Sequence, residues 1–182
     1  MSDQAPQPQT PPLHLRRAEP SDAGALALVG AATFLESYAH MIPGVDIVRH
    51  GAVQHGTDYY QRHLSADALP IWVQATPTGA VVGYVQLTDP ALPVADPAPD
   101  DIEIKRIYLL SAFQGHGHGA ALMAAALEGA KALGRRRVLL GTYKGNSKAI
   151  RFYEKCGFAI LGERDFQVGE SLFSDYVLGR SL

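Results

Sequence analysis

The stretch Phe113-Gln114-Gly115-His116-Gly117-His118-Gly119-Ala120 carries the residues whose types and spacing have the most chemistry to offer in this 182-residue chain. Glycine stands at every second position, where residues 102–110, patterned as a strand, give way to residues 120–133, patterned as a helix. Without side chains, the backbone N–H groups of such a turn can converge on one spot beside the positive end of the helix dipole. That nest suits a phosphate or pyrophosphate. A flexible loop ahead of a helix start is the plainer reading of the same residues.

Gly115-x-Gly117-x-x-Ala120 fits a dinucleotide fingerprint, but residues 135–141 supply no acid at the end of the next strand to hold a ribose. The mononucleotide loop G-x-x-x-x-G-K-[ST] is absent. What remains is Gln114-x-x-Gly117-x-Gly119. A second constellation runs from Asn146 to Phe158, with the pattern N-x-x-A-x-x-x-Y-x-x-x-G-F. On a helix Asn146 and Tyr153 face nearly the same way, with Ala149 between them. Alone, this is an ordinary amphipathic helix that buries Ile150, Phe152 and Cys156.

Together the two motifs resemble the coenzyme A pyrophosphate loop and the coenzyme A-facing helix of the GNAT superfamily of N-acetyltransferases. The resemblance spans residues 13–182 and is densest over 102–158. Within the superfamily, Glu103-Ile104-Lys105-Arg106-Ile107-Tyr108-Leu109 and Phe166-Gln167-Val168-Gly169-Glu170 look most like PaiA-type polyamine acetyltransferases. Ser171-Leu172-Phe173-Ser174 departs from the polar tract expected after the Gly-acid pair.

The resemblance implies acetyl-coenzyme A as cosubstrate and a small primary amine, such as a polyamine, as acceptor. Backbone groups of Ile107, Tyr108 and Leu109 would hold the pantetheine arm, an N–H near Leu109 polarising the thioester oxygen. Gln114, Gly115, His116, Gly117, His118, Gly119 and Ala120 would hold the pyrophosphate, and Asn146, Ala149 and Tyr153 would face the cosubstrate. Tyr153 is the expected general acid, since a phenol with a pKa of about 10 can protonate a thiolate whose acid titrates at ~8.5. An amine of similar pKa is free base in only about one molecule in a thousand at neutral pH, so something must take its proton. Glu103 is the expected base; a water chain, or a purely structural pairing of Glu103 with Lys105 or Arg106, are the alternatives. Acceptor contacts are expected from Phe34, Glu36, Tyr38, Phe166 and Asp175. Other readings are an enzyme acting on a protein N-terminus or lysine, and a non-catalytic acetyl-coenzyme A sensor.

The elements that must position these groups follow from periodicity and turn residues. Residues 1–12, rich in Pro and Gln, read as a disordered tail, and residues 13–182 as one domain. Residues 13–18 alternate as a first strand, Pro20-Ser21-Asp22 opens a helix, and a second helical stretch falls within residues 46–64. Residues 71–75 and 81–87 form a hairpin about Thr76-Pro77-Thr78-Gly79. After the central strand, loop and helix come a strand over 138–143, the helix ending at Gly157, and a final hairpin begun by 158–162 and returning through 175–178. The expected fold is α/β, a mixed and mostly antiparallel sheet of about seven strands with helices on both faces.

Composition narrows the partners. A net charge of −2 argues against non-specific nucleic-acid binding, and no apolar run approaches a membrane span. The single Cys156 excludes an internal disulfide and fits a reducing cytoplasm, packing as a small apolar residue. His116 and His118 lack further ligands nearby, so no metal is expected. Arg135, Arg136 and Arg137 complement the dipole of the preceding helix or reach the 3′-phosphate of coenzyme A. The oligomeric state is left open, a homodimer included.

Overall fold

The computed structural model describes residues 12–65 and 68–182, so the tail expected over residues 1–12 lies, Pro12 apart, outside the described residues. The alternation after Pro12 gives β1 (His14–Arg17). A 3₁₀ turn at Pro20–Asp22 follows, where the Asp22 carboxylate accepts the Glu19 N–H at 2.8 Å and two bonds from Arg16 at 2.7 and 2.9 Å. That fixed corner launches α1 (Ala23–Tyr38).

The single helical stretch expected over residues 46–64 is two helices, α2 (Gly44–Gln54) and α3 (Thr57–His63). Gly56 adopts the extended conformation at the start of α3, and a side chain there would meet the Ala52 carbonyl at 2.6 Å. The chain must turn at this point, and glycine permits it.

β2 (Ile71–Ala75) and β3 (Val81–Thr88) form the expected hairpin, with Gly79 at φ 89° closing the turn. β4 (Asp101–Leu109), α4 (His118–Ala132), β5 (Arg137–Tyr143) and α5 (Ser147–Lys155) come next. The final hairpin, β6 (Ala159–Val168) and β7 (Ser171–Ser181), is longer than its apolar segments suggested. It turns at Gly169, φ 59°, where the Asp46 carboxylate from α2 sits so close that a Cβ would lie 2.1 Å from it.

All seven strands join one sheet in the order β1-β2-β3-β4-β5-β7-β6. Every pairing is antiparallel except β4 with β5. The sheet is covered on both faces, as expected. On one, Leu122, Met123 and Leu127 of α4 pack on Val85, Ile102, Ile104, Val138 and Leu140. On the other, Leu26 and Val29 of α1 pack with Tyr60, Ile71, Val73 and Tyr84. Leu122 is fully buried, so truncation to Ala there costs about 2–5 kcal/mol. None of the helices among the described residues is long and apolar enough to cross a membrane.

Candidate active site

The parallel pairing of β4 with β5 runs only from Asp101–Arg137 to Ile104–Leu140. Beyond it the strands part, β4 staying with β3 as far as Leu109 and β5 with β7 as far as Tyr143. Leu110 N donates to Val82 O at 3.0 Å. In an antiparallel ladder the backbone groups then alternate, so those of Tyr108 face β3 while those of Ile107 and Leu109 face the gap. An open strand edge of this kind can pair with an extended ligand. The gap opens into a cleft of about 790 Å³, large enough for a cofactor-sized molecule.

The Gly-rich loop closes one end. Gly115 and Gly117 have φ of 88° and 82°, and a Cβ at either would meet nothing within 4 Å, so the backbone is bare toward open space. The helix α4 starts at His118, two residues earlier than its apolar pattern suggested, with Gly117 as its cap. Gln114 donates its side-chain amide to Leu109 O at 2.9 Å and accepts from Lys148 Nζ at 2.6 Å. Gln74 of β2 donates to His118 O at 3.1 Å and pins the first turn. Gln114, Gly115, Gly117, Gly119 and Ala120 line the cleft, but among the described lining residues neither His116 nor His118 appears. No group of three His, Cys, Asp or Glu able to hold a metal occurs among the described residues.

The helix α5 supplies the facing wall. Asn146 caps it, its Oδ1 accepting from Ala149 N at 3.0 Å, and Asn146, Ala149 and Tyr153 all line the cleft, as does Lys148. Tyr153 is 8% exposed and sits against Phe152 and Phe158. Burial first, then the neighbouring Tyr108, pushes its phenol well above the usual range, so it stays protonated. Cys156 packs against the core from the last turn, and burial raises its thiol pKa.

At the other end Phe34, Tyr38, Phe166 and Asp175 line the cleft, whereas Glu36 is held by the Ser111 N–H and hydroxyl at 3.1 and 3.0 Å. Glu103 is 2% exposed and already engaged: Oε2 accepts from Ala91 N at 2.8 Å and Oε1 from Lys105 Nζ at 3.2 Å. The structural pairing with Lys105 is thus present, although Glu103 also lines the cleft. Among the described residues Asp175 is engaged through Oδ2, by Arg164 at 3.1 and 3.2 Å, and burial raises its pKa against the effect of that arginine. Arg135 and Arg137 bind the segment around Asp101, Arg137 gripping both oxygens of that carboxylate at 2.7 and 2.8 Å. Arg136 pairs with Asp100 at 3.6 Å, and none of the three lines the cleft.

Sequence reasoning missed Lys148, Arg106 and His55. Nothing in the chain ranks Lys148 above other lysines; only the fold brings it to Gln114. Arg106 enters the sequence reading only as a structural partner of Glu103, and His55, which lines the cleft and bonds Tyr60, gives no signal in the sequence.

The model of the Acetyltransferase (GNAT) family matches residues 42–158. An N-acetyltransferase of Mycobacterium tuberculosis, itself described as uncharacterized, is 33% identical over 162 residues, covering 89% of this chain and 99% of its own. Another, from the pepI 3′ region of Lactobacillus delbrueckii subsp. lactis, is 31% identical over 104 residues, 57% of this chain and 60% of its own. Among solved structures, the PaiA N-acetyltransferase of Thermoplasma acidophilum, in complex with coenzyme A, has a TM-score of 0.75 at 17% identity, covering 94% of this chain and 99% of its own. The ribosomal-protein-alanine N-acetyltransferase of Brucella melitensis has a TM-score of 0.65 at 21% identity, covering 93% and 100%. At such identities the structures speak for the fold alone.

Proposed function

This chain belongs to the Acetyltransferase (GNAT) family and is an N-acetyltransferase, and from that premise we propose that it moves the acetyl group of acetyl-coenzyme A to a small primary amine by direct attack on the thioester. The observation that carries the reading is the gap between β4 and β5, which ends at the Gly-rich loop and has Tyr153 in its wall. The gap's edge at Ile107 and Leu109 suits the amide-bearing pantetheine arm. The bare nest at Gly115, Gly117 and Gly119 suits the pyrophosphate, with Lys148 as a nearby cation.

In the reaction the amine nitrogen attacks the thioester carbonyl carbon. The oxygen's developing charge is met by the Leu109 N–H. The C–S bond breaks, and the thiolate takes the Tyr153 hydroxyl proton. The nitrogen's surplus proton passes to a carboxylate or to water, and the products are an acetamide and free thiol. Glu103 is one candidate base; Asp175 is the other, favoured because among the described residues its Oδ1 has no hydrogen-bond partner and because it holds protons more readily than an ordinary carboxylate.

A polyamine acceptor is the reading suggested by the PaiA-like strand and hairpin of the sequence, and a structure named PaiA N-acetyltransferase shares the fold. A protein N-terminus or lysine would need the same chemistry. A sensor would need the nest but not Tyr153. Thiol release from acetyl-coenzyme A, measured over spermidine, spermine, amino acids and an N-terminal peptide, separates these. Release with a small amine supports the proposal. Tight coenzyme binding without release for any amine leaves the sensor.

A further inference from the structure

Gly30 lies inside α1, where glycine is normally unfavourable. A Cβ there would stand 2.4 Å from His55 Nδ1, 2.7 Å from the Tyr60 hydroxyl and 2.9 Å from the Tyr84 hydroxyl. The bare backbone makes room for a chain of three polar groups. His55 Nδ1 is 3.0 Å from the Tyr60 oxygen, which is bonded in turn to the Tyr84 hydroxyl.

Proton accounting fixes the direction of this chain. Both phenols are fully buried, and among the described residues Tyr84 bonds only to Tyr60. Every hydroxyl proton finds an acceptor only if Tyr84 donates to Tyr60 and Tyr60 donates to His55 Nδ1. The ring proton then sits on Nε2. His55 is 3% exposed, lines the cleft, and has no partner for Nε2 among the described residues. Desolvation first, then Arg106 and His50, hold its pKa at about 3, so it is a neutral donor rather than a base.

Arg106 lines the same cleft and is 6% exposed. Its guanidinium bonds three neutral oxygens, those of Tyr59, Gln86 (2.9 Å) and the Gln54 backbone (2.9 Å), and lies 4.4 Å from the Tyr59 ring centroid. Three of its five N–H donors are thereby used. The two carboxylates in the cleft are each matched, Glu103 by Lys105 and Asp175 by Arg164. Among the described residues Arg106 has no carboxylate partner, and a buried cation of this kind calls for an anion.

We propose that the acceptor is a primary amine that also carries a carboxylate, as an amino acid does, with the carboxylate bound by Arg106 and by the Nε2–H of His55 and the amine turned toward Asp175. This rests on the acetyl-transfer reading above and names its substrate class. A carboxylate accepts from both donors at once, and its pairing with a guanidinium is a charge-assisted hydrogen bond, stronger than a neutral one. A polycation would bring more positive charge to Arg106 and offer nothing to His55.

The test compares matched trios for thiol release from acetyl-coenzyme A at one ionic strength and pH. Each trio is an amino acid, its amide and its decarboxylated amine, taken over small, branched, aromatic and acidic side chains, with spermidine alongside. The acid of at least one trio should exceed its two partners and spermidine by tenfold or more in kcat/KM, mainly through KM. Arg106→Gln and His55→Gln should each reduce that preference below threefold while calorimetry still finds coenzyme A bound, which reports a folded nest. If amides, decarboxylated amines or spermidine match or surpass every acid, the carboxylate is wrong and acetyl transfer stands. A folded Arg106→Gln protein that keeps the full preference overturns the assignment too. If no amine releases thiol, both readings fall.

Discussion

The side-chain amide of Gln114 donates to the backbone carbonyl of Leu109 at 2.9 Å, joining the first residue after the 3₁₀ turn at Ser111–Phe113 to the last residue of β4. Its oxygen accepts from Lys148 on α5, so strand, loop and facing helix are held by one side chain. The distance between the Leu109 amide and the Gly-rich nest is therefore fixed before any ligand arrives. Preorganisation of this kind lowers the ordering cost of binding.

Gly117→Val tests whether that nest holds phosphate. Gly117 is at φ 82°, and a Cβ would project into open space where the nest faces outward. The backbone strain of a β-branched residue there is about 1–2 kcal/mol, which a buried core of this size can bear. Coenzyme A affinity measured by calorimetry should fall by roughly tenfold or more in a protein whose circular dichroism is unchanged. Unaltered affinity would remove the loop from the site.

Tyr153→Phe removes one hydroxyl from a ring that otherwise stays packed on Phe152 and Phe158. Loss of a proton-transfer group lowers kcat by roughly 10²-fold, with a smaller change in KM for acetyl-coenzyme A. Because burial raises the phenol's pKa, the wild-type rate should show no alkaline decline from Tyr153 itself below about pH 10. A variant with wild-type kcat, where chemistry limits the rate, would leave Tyr153 as a core residue only.

The two motifs were legible because each is local. Alternate glycines between strand and helix, and Asn146 one helical face from Tyr153, need no knowledge of the rest of the chain. Strand pairing at Thr76–Gly79 was readable for the same reason. The break between α2 and α3 was not, since Gly56 inside a helical pattern is a weak signal until its backbone is seen extended. The extent of β6 was hidden because it is an edge strand, where Glu163, Arg164 and Asp165 interrupt the apolar pattern. The pairing of Glu103 with its near neighbour Lys105 was readable as one alternative, but its bond from Ala91 N, and the meeting of residues 30, 55, 60 and 84, depend on contacts distant in the chain.

His55 links stability to pH. Its folded pKa is about 3, against 6.5 when exposed, so between those values the unfolded chain binds a proton that the folded chain does not. Stability therefore rises with pH across this window, is fully present above 6.5, and is lost as pH falls through it. The limiting slope for one proton is about 1.4 kcal/mol per pH unit. His50, also lowered by burial, adds in the same sense, whereas Asp175, with its pKa raised, works against it near the ordinary carboxylate range. Urea midpoints from pH 7.5 to 4.5 should fall for the wild type and fall less steeply for His55→Gln. Parallel slopes would mean that His55 is solvated in the folded protein.

Gly30→Ala sets helix propensity against the buried network. Judged by the helix alone, alanine should gain about 1 kcal/mol over glycine in the middle of α1. The new methyl, however, falls within 2.4–2.9 Å of His55 Nδ1 and the hydroxyls of Tyr60 and Tyr84, none of which is the free end of a flexible chain. Tyr60 and Tyr84 are fully buried, so the rings can move only by displacing the core against α1. Overpacking of this sort costs about 1–3 kcal/mol, enough to outweigh the propensity gain. The substitution should lower the melting temperature and, by pushing His55 from its place, raise KM for the acceptor more than for acetyl-coenzyme A. A more stable Gly30→Ala protein with unchanged KM would show that the hydroxyl chain is looser than the hydrogen bonds through Tyr60 require.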